Sequence, residues 1–326
     1  MKFTKIIATM AVGAMLLTSC GSATAVISAG DVKVTDKDIK FLADYFYEQN
    51  VNAGQNANYD SLKDQLVEML EEAALNKAVA GAMEVELDDE SKKAIIGEMA
   101  NLRSGFGGKA EFEKAIKKAG ASEDAMELFS GASHWIALLS ENEDLKVEDP
   151  SDDEVKKYFK ENYLRAKHVL ISVGEDVATG DLEKTQAEDI LKKAQEGANF
   201  DELVKEHSQD PGSATNPDGY VFTDGQMVPE FENGTKSIKP GEFTLVKSDF
   251  GYHVIQRLAL DESDAKFAEM FEANKDAAKT ACKQAKFDEK LKKYAADNGV
   301  EVVVDEAAVE NLQAPEVDAD AAQTEE

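Results

Sequence analysis

Cysteine is scarce in this 326-residue sequence: Cys20 and Cys282 are the only two. They form no Cys-x-x-Cys pair, and the four histidines contain no His-x-x-x-His pair. That spacing argues against a zinc site, even one drawn from His168, His207, His253 and Asp210. Basic residues are also in deficit, with 36 Lys and Arg against 65 Asp and Glu, a formal net charge of −29. Such a chain is a poor partner for nucleic acid, whose phosphates need neutralising by Lys and Arg. It has no direct electrostatic grip on anionic lipid either. Beyond the first residues no apolar run is long enough to span a bilayer. Gly105-Phe106-Gly107-Gly108-Lys109 is not a phosphate loop, because Arg103 stands where that motif needs Gly and Ala110 where it needs Ser or Thr. Apolar residues make up 43% of the chain, enough for a sizeable core, and the length suits roughly two domains.

The N-terminus reads as an export signal over residues 1–20. Lys2 and Lys5 precede the apolar run Ile6 to Leu17, which is too short to cross a membrane comfortably. Leu17-Thr18-Ser19-Cys20 follows, with Gly21-Ser22 after it. This resembles the bacterial lipobox, which implies lipidation of Cys20 as the sole membrane anchor. Cys282 then has no disulfide partner within the chain and reads as a buried or half-buried structural thiol.

Residues 21–28 read as a short tether and 21–150 as a mainly helical region. Thr35 and Ser122 are candidate N-caps. Apolar stripes follow helical spacing at Ile39-Leu42-Ala43-Phe46, Leu62-Leu66-Met69-Leu70-Ala73, Ala94-Ile95-Met99-Leu102, Phe112-Ala115-Ile116-Ala119 and Phe129-Ala132-Ile136-Leu139. Core packing is the first reading of the 39–46 and 129–139 stripes, and client contact the second. Ser151 with Glu154 forms a capping box after Pro150. From 163 to 258 the pattern changes to β-α-α-β-α-β-β, an α+β domain with a small antiparallel sheet. Residues 259–304 read as a helical return, with Val300–Val304 closing on a sheet or bundle elsewhere. From Asp305 there are eight acidic residues and no basic one, which predicts a disordered tail over 305–326.

The chemistry-bearing residues lie in the central domain. In order they are Ala166-Lys167-His168-Val169-Leu170, His207-Ser208-Gln209-Asp210, Gly225-Gln226-Met227-Val228-Pro229-Glu230-Phe231, Lys239-Pro240-Gly241-Glu242 and Phe250-Gly251-Tyr252-His253-Val254-Ile255. In order and spacing this set resembles the parvulin family of peptidyl-prolyl isomerases over nearly all of 163–258. The resemblance implies that His168 and His253 face each other beneath a proline site, joined by Ser248 and Asp210 in one hydrogen-bonded cluster. It implies that Met227 and Phe231 floor the proline pocket, with Gln226 flanking it. The parvulin domain, inserted between helical segments, also resembles the extracytoplasmic foldase lipoproteins of Gram-positive bacteria. In those proteins the flanking segments pack together as a chaperone module.

Rotation about an X–Pro bond faces a barrier of roughly 18–20 kcal/mol, and uncatalysed exchange takes tens of seconds or more. No bond is broken, so the reaction needs no nucleophile, metal or cofactor. The twisted transition state loses amide resonance and charge separation, so an apolar, water-poor pocket favours it over the planar ground state. The implied histidines are read as holding the pocket's shape and not as attacking groups. Two departures from the family pattern bear on activity. Many parvulins carry Gly-Gly-Asp-Leu-Gly where this chain has Asn216-Pro217-Asp218-Gly219-Tyr220, and Gly219 in place of Leu is expected to weaken the substrate wall. The 173–183 loop lacks an Arg/Lys cluster, so no phosphate requirement is expected.

Together these readings describe an isomerase of the extracytoplasmic membrane face that acts on unfolded or newly exported polypeptides. It carries a lipid on Cys20 and binds neither nucleic acid nor a cofactor; a homodimer is left open. The alternative is a chaperone or binding lipoprotein whose parvulin fold is inactive, with Gly219 as its support.

Overall fold

The computed structural model describes residues 23–53, 58–174 and 181–315. Its described residues divide into two compact units, one holding those from 23 to 147 with 285–315 and the other those from 148 to 284. Cys20 and the rest of the 1–20 segment lie outside the described residues, as do 175–180 of the acidic loop and 316–326 of the tail. Among the described residues no helix is long and apolar enough to cross a membrane.

The first unit opens with two strands, β1 (Ala25–Ala29) and β2 (Val32–Thr35), so the stretch read as a tether is partly a strand. The reason is long-range. β1 is the centre of a three-stranded antiparallel sheet whose other edge, β7 (Val302–Val304), comes from near the far end of the chain, pairing Ile27 with Val304. Val26 and Ile27 are buried there, which a local reading of eight small residues could not reveal.

Five helices follow: α1 (Asp36–Asn52), α2 (Tyr59–Ala82), α3 (Asp89–Gly105), α4 (Lys109–Ala119) and α5 (Glu123–Ser140). Thr35 and Ser122 cap α1 and α5 as expected. Ile39, Leu42 and Ala43 are buried, so the 39–46 stripe serves the core. The α2 stripe departs at one position: Met69 is 42% exposed, while Leu66, Leu70 and Ala73 turn inward. Asp38 joins three parts of this unit. It accepts from the Thr35 backbone N–H and hydroxyl, at 2.8 and 2.6 Å, and its other oxygen accepts from the Ser122 N–H at 2.6 Å. One buried carboxylate thereby completes one cap and braces the start of another helix.

The second unit begins at α6 (Asp152–Asn162), which carries the expected Ser151–Glu154 capping box. It continues with β3 (Leu164–Ser172), α7 (Asp181–Gln195), α8 (Phe200–His207), a short 3₁₀ turn (Pro211–Ala214), β4 (Tyr220–Phe222), α9 (Pro229–Ser237), β5 (Phe243–Ser248) and β6 (Gly251–Leu258). The strands form one antiparallel sheet in the order β4-β3-β6-β5. This is the α+β arrangement read from the sequence.

Strand alternation sorts its residues between two faces. Val169 and Ile171 of β3, with Tyr252 and Val254 of β6, pack on Ala187, Ile190 and Ala194 of α7 and on Phe200 and Leu203 of α8. Ala166 and Ile255 face the other way and pack with Phe222 and with Phe231 of α9. His168 opposes Ile255, and His253 opposes Leu170. Residues directly opposite share a face, so both histidines lie on the Phe231 side although 85 residues separate them.

The helix α10 (Phe267–Asp297) contributes its length through Gln284 to this unit. Assigning all of 259–304 to the helical return therefore needs correcting. Phe267, Phe271 and Ala278 pack with Val155 and Phe159 of α6, giving aromatic contacts of 5.9 and 5.6 Å to the Phe159 ring. Arg165, buried on β3, donates to the Ala259 carbonyl at 3.3 Å and pairs with Asp264. Cys282 is buried here as the structural thiol expected of it. Past Gln284, Phe287, Leu291 and Ala295 of α10 pack in the first unit with Val79, Leu139 and Leu145. The acidic stretch also differs from the expected disordered tail. Asp305 caps a short helix, α11 (Glu306–Glu310), and Val309 and Leu312 are buried in the first unit's core. Two apolar side chains at the right spacing outweigh the acidic composition around them.

Candidate active site

The polar residues singled out in the second unit join into one hydrogen-bonded chain. Ser248 Oγ lies 2.7 Å from His253 Nε2, His253 Nδ1 lies 3.0 Å from His168 Nδ1, and His168 Nε2 lies 2.9 Å from Asp210 Oδ2. The imidazole planes are stacked, 8° apart, with centroids 5.2 Å apart. β3 supplies His168, β6 His253 and the end of β5 Ser248. Asp210 follows α8 and is drawn to the sheet by its neighbours: Gln209 N–H donates to the Leu170 carbonyl at 2.9 Å, and Ser208 Oγ accepts from Leu170 N–H at 3.2 Å.

Electrostatics gives this chain a direction. Burial disfavours the charged form of Asp210, but hydrogen bonds from Tyr220, His168, Ser213 and Gly212 outweigh it and hold the carboxyl well below its usual range. As a carboxylate Asp210 can only accept, so His168 carries its proton on Nε2. Burial pushes His168 below its ordinary pKa, and burial together with the neighbouring His168 pushes His253 down to about 4. Both rings are neutral at pH 7. His168 Nδ1 therefore accepts from His253 Nδ1–H, and His253 Nε2 accepts from the Ser248 hydroxyl. Each ring nitrogen has one partner and each tautomer is fixed by the next.

Phe231 is the apolar counterpart of this chain. It is buried and edge-on to both imidazoles, with centroids 5.1 Å from His168 and 5.7 Å from His253. Met227 packs in the same cluster, and its backbone N–H donates to Glu232 Oε1 at 3.0 Å, which fixes the start of α9 beside the sheet. Gln226 is exposed and accepts from the Thr223 N–H at 3.0 Å, so it braces the turn ahead of Met227. A cavity of about 400 Å³ opens beside His168 and Asp210, lined further by Val204, Ser208, Ser213 and Tyr220. Met227 and Phe231 are not part of its wall.

Two members of the network were absent from the sequence reading. Ser213 and Tyr220 donate to Asp210 Oδ2 at 2.8 and 2.6 Å. The signal for Tyr220 was its place in a segment where many parvulins have Gly. The expectation for Gly219 needs correcting. Its φ is +92°, and a Cβ there would lie 2.8 Å from the Ala166 carbonyl oxygen of β3. The chain turns too close to the sheet for a side chain, so Gly219 meets a backbone requirement where it lines the cavity.

Comparison with known proteins bears on this geometry. The family of the PPIC-type PPIASE domain matches residues 154–261. Foldase protein PrsA of Staphylococcus aureus (strain Newman) is 31% identical over 270 residues, covering 77% of this chain and 74% of that protein. The chain belongs to the PrsA foldase family. Foldase protein PrsA of Oceanobacillus iheyensis is 25% identical over 315 residues, 94% of this chain and 93% of that protein. The crystal structure of PrsA from Bacillus subtilis aligns over 85% of this chain and 93% of that chain, at 22% identity and a TM-score of 0.28. As a PrsA-family foldase with a parvulin-type domain, the protein is a peptidyl-prolyl isomerase with chaperone function, and its substrates are unfolded polypeptides.

Proposed function

We propose that isomerisation takes place over the Phe231 side of the sheet, with Met227 and Phe231 holding the pyrrolidine ring and Gln226 flanking it. The observation carrying this reading is the contact of the Phe231 ring with both imidazoles of a continuous Ser248–His253–His168–Asp210 chain. An apolar surface beside the amide withdraws water from the carbonyl, which costs the planar, charge-separated ground state more than the twisted transition state. The polar chain holds the pocket's shape. Asp210 already accepts hydrogen bonds at both oxygens, and the lone-pair nitrogen of each imidazole is occupied by the next donor in the chain, so none of them is free to act as a nucleophile or base. The clients are newly exported polypeptides, whose slow X–Pro steps this activity shortens. Lipidation of Cys20 holds the protein at the extracytoplasmic face of the cell membrane; its support is the Leu17-Thr18-Ser19-Cys20 pattern after an apolar run.

A protease-coupled prolyl-peptide assay tests the site. His168→Ala and Met227→Ala each lower kcat/KM at least tenfold, about 1.4 kcal/mol in the barrier. Unchanged turnover in both rejects the assignment. The anchor is tested by expressing Cys20→Ser in a bacterial host: the variant leaves the membrane fraction and loses labelled palmitate.

A further inference from the structure

Asp210 and His168 present a problem of charge. A half-buried carboxylate 2.9 Å from an imidazole ordinarily draws a proton onto the ring, because the opposite charge favours the imidazolium. The hydrogen-bonded chain described above needs His168 neutral, with Nδ1 free to accept from His253. Something must spread the carboxylate's charge over other donors.

Tyr220 is built to do so. Its hydroxyl makes the shortest contact that Asp210 has, at 2.6 Å, to the same Oδ2 atom that His168 engages. Its ring stands edge-on to the His168 ring at 77°, with centroids 5.7 Å apart. β4 fixes this position, pairing Tyr220 with Ala166 two residues before His168 on β3. The approach needs Gly212 on the opposite side, where a Cβ would fall 2.3 Å from the Tyr220 hydroxyl. Burial and the Asp210 contact push the phenol up to about 12, so it remains a donor throughout the physiological range.

We propose that Tyr220 is a positioning residue of this site, whose hydroxyl shares Asp210 with His168 and thereby keeps His168 neutral in its Nε2–H tautomer. Other titratable groups around this point are His253 from β6, Lys167 from β3, Asp201 and Lys205 from α8, and Asp218 in the turn before β4. Lys167 is tied to Asp201 at 2.5 Å, and Asp218 pairs with Lys266. The proposal rests on the reading of His168 and Asp210 as part of the isomerase centre.

The test follows His168 in the full-length chain by ¹⁵N NMR against pH, beside the pH profile of kcat/KM. In Tyr220→Phe the carboxylate loses its strongest neutral donor and becomes more basic toward His168. The His168 titration and the acid limb of the profile then both move up, by roughly half a pH unit or more. A His168 titration unchanged from wild type overturns the proposal. Should Tyr220→Phe fail to fold, 3-fluorotyrosine in place of Tyr220 keeps the hydroxyl and makes it a stronger donor. The His168 titration then moves down, and no movement overturns the proposal equally. The NMR readout does not depend on turnover. Failure of the Tyr220 role, seen as an unmoved titration, is therefore distinct from failure of the site reading, seen as full turnover in His168→Ala.

Discussion

The two units bury polar groups in different ways. In the helical unit, Asp38 is buried as an isolated brace, answering local backbone donors at the starts of α1 and α5. In the isomerase unit, Ser248, His253, His168, Asp210, Tyr220 and Ser213 answer one another, in a chain drawn from four strands and the turn after α8. The isolated brace secures secondary structure. The connected chain fixes orientations, because each proton position depends on the next. Function concentrates where polar side chains satisfy one another.

Three perturbations break or sharpen this contrast, from the largest effect to the smallest. Phe231→Ala removes the ring that packs on both imidazoles. It costs the isomerase unit about 3–5 kcal/mol, read as a lower denaturant midpoint for that unit, with turnover falling alongside. A variant of wild-type stability would mean the ring is not part of that core. Asp38→Ala strands buried donors at Thr35 and Ser122 and costs the helical unit about 1–3 kcal/mol. Prolyl-peptide turnover stays at the wild-type level if the brace is purely local.

Acidification is the mildest of the three. His253 takes up its proton near pH 4 in the folded chain and near 6.5 when unfolded. Between those values the unfolded chain binds more protons, so stability falls as pH drops through that window. The depressed Asp210 carboxyl adds its own loss only at lower pH, once the unfolded chain's carboxyl begins to protonate near 3.8. Calorimetry between pH 7 and 4 should show the isomerase unit's melting temperature dropping faster than that of the helical unit. Parallel declines would place the acid-sensitive groups elsewhere.

Much of this was legible in advance, and the misses share a cause. Helix caps at Thr35, Ser122 and Ser151 are local chemistry and can be read from four residues. His168 and His253 were found through a motif whose spacing survives in the sequence. β1 was missed because its edge partner, β7, comes from near the other end of the chain. The buried Val309 and Leu312 were hidden by the acidic residues around them. Gly219 was read as a missing side chain because the approach of the Ala166 carbonyl is invisible along the chain.

The sequence by itself determined which segments form helices, where they begin, and which residue types could make a proline pocket, since periodicity and capping act within a few residues. Only the tertiary structure decided how Asp210 is shared among four donors and which nitrogen of each imidazole holds the proton. Those outcomes depend on distances of 2.6 to 3.0 Å between residues on different strands and turns. Burial and hydrogen-bond geometry at that scale are set by packing, which no local pattern encodes.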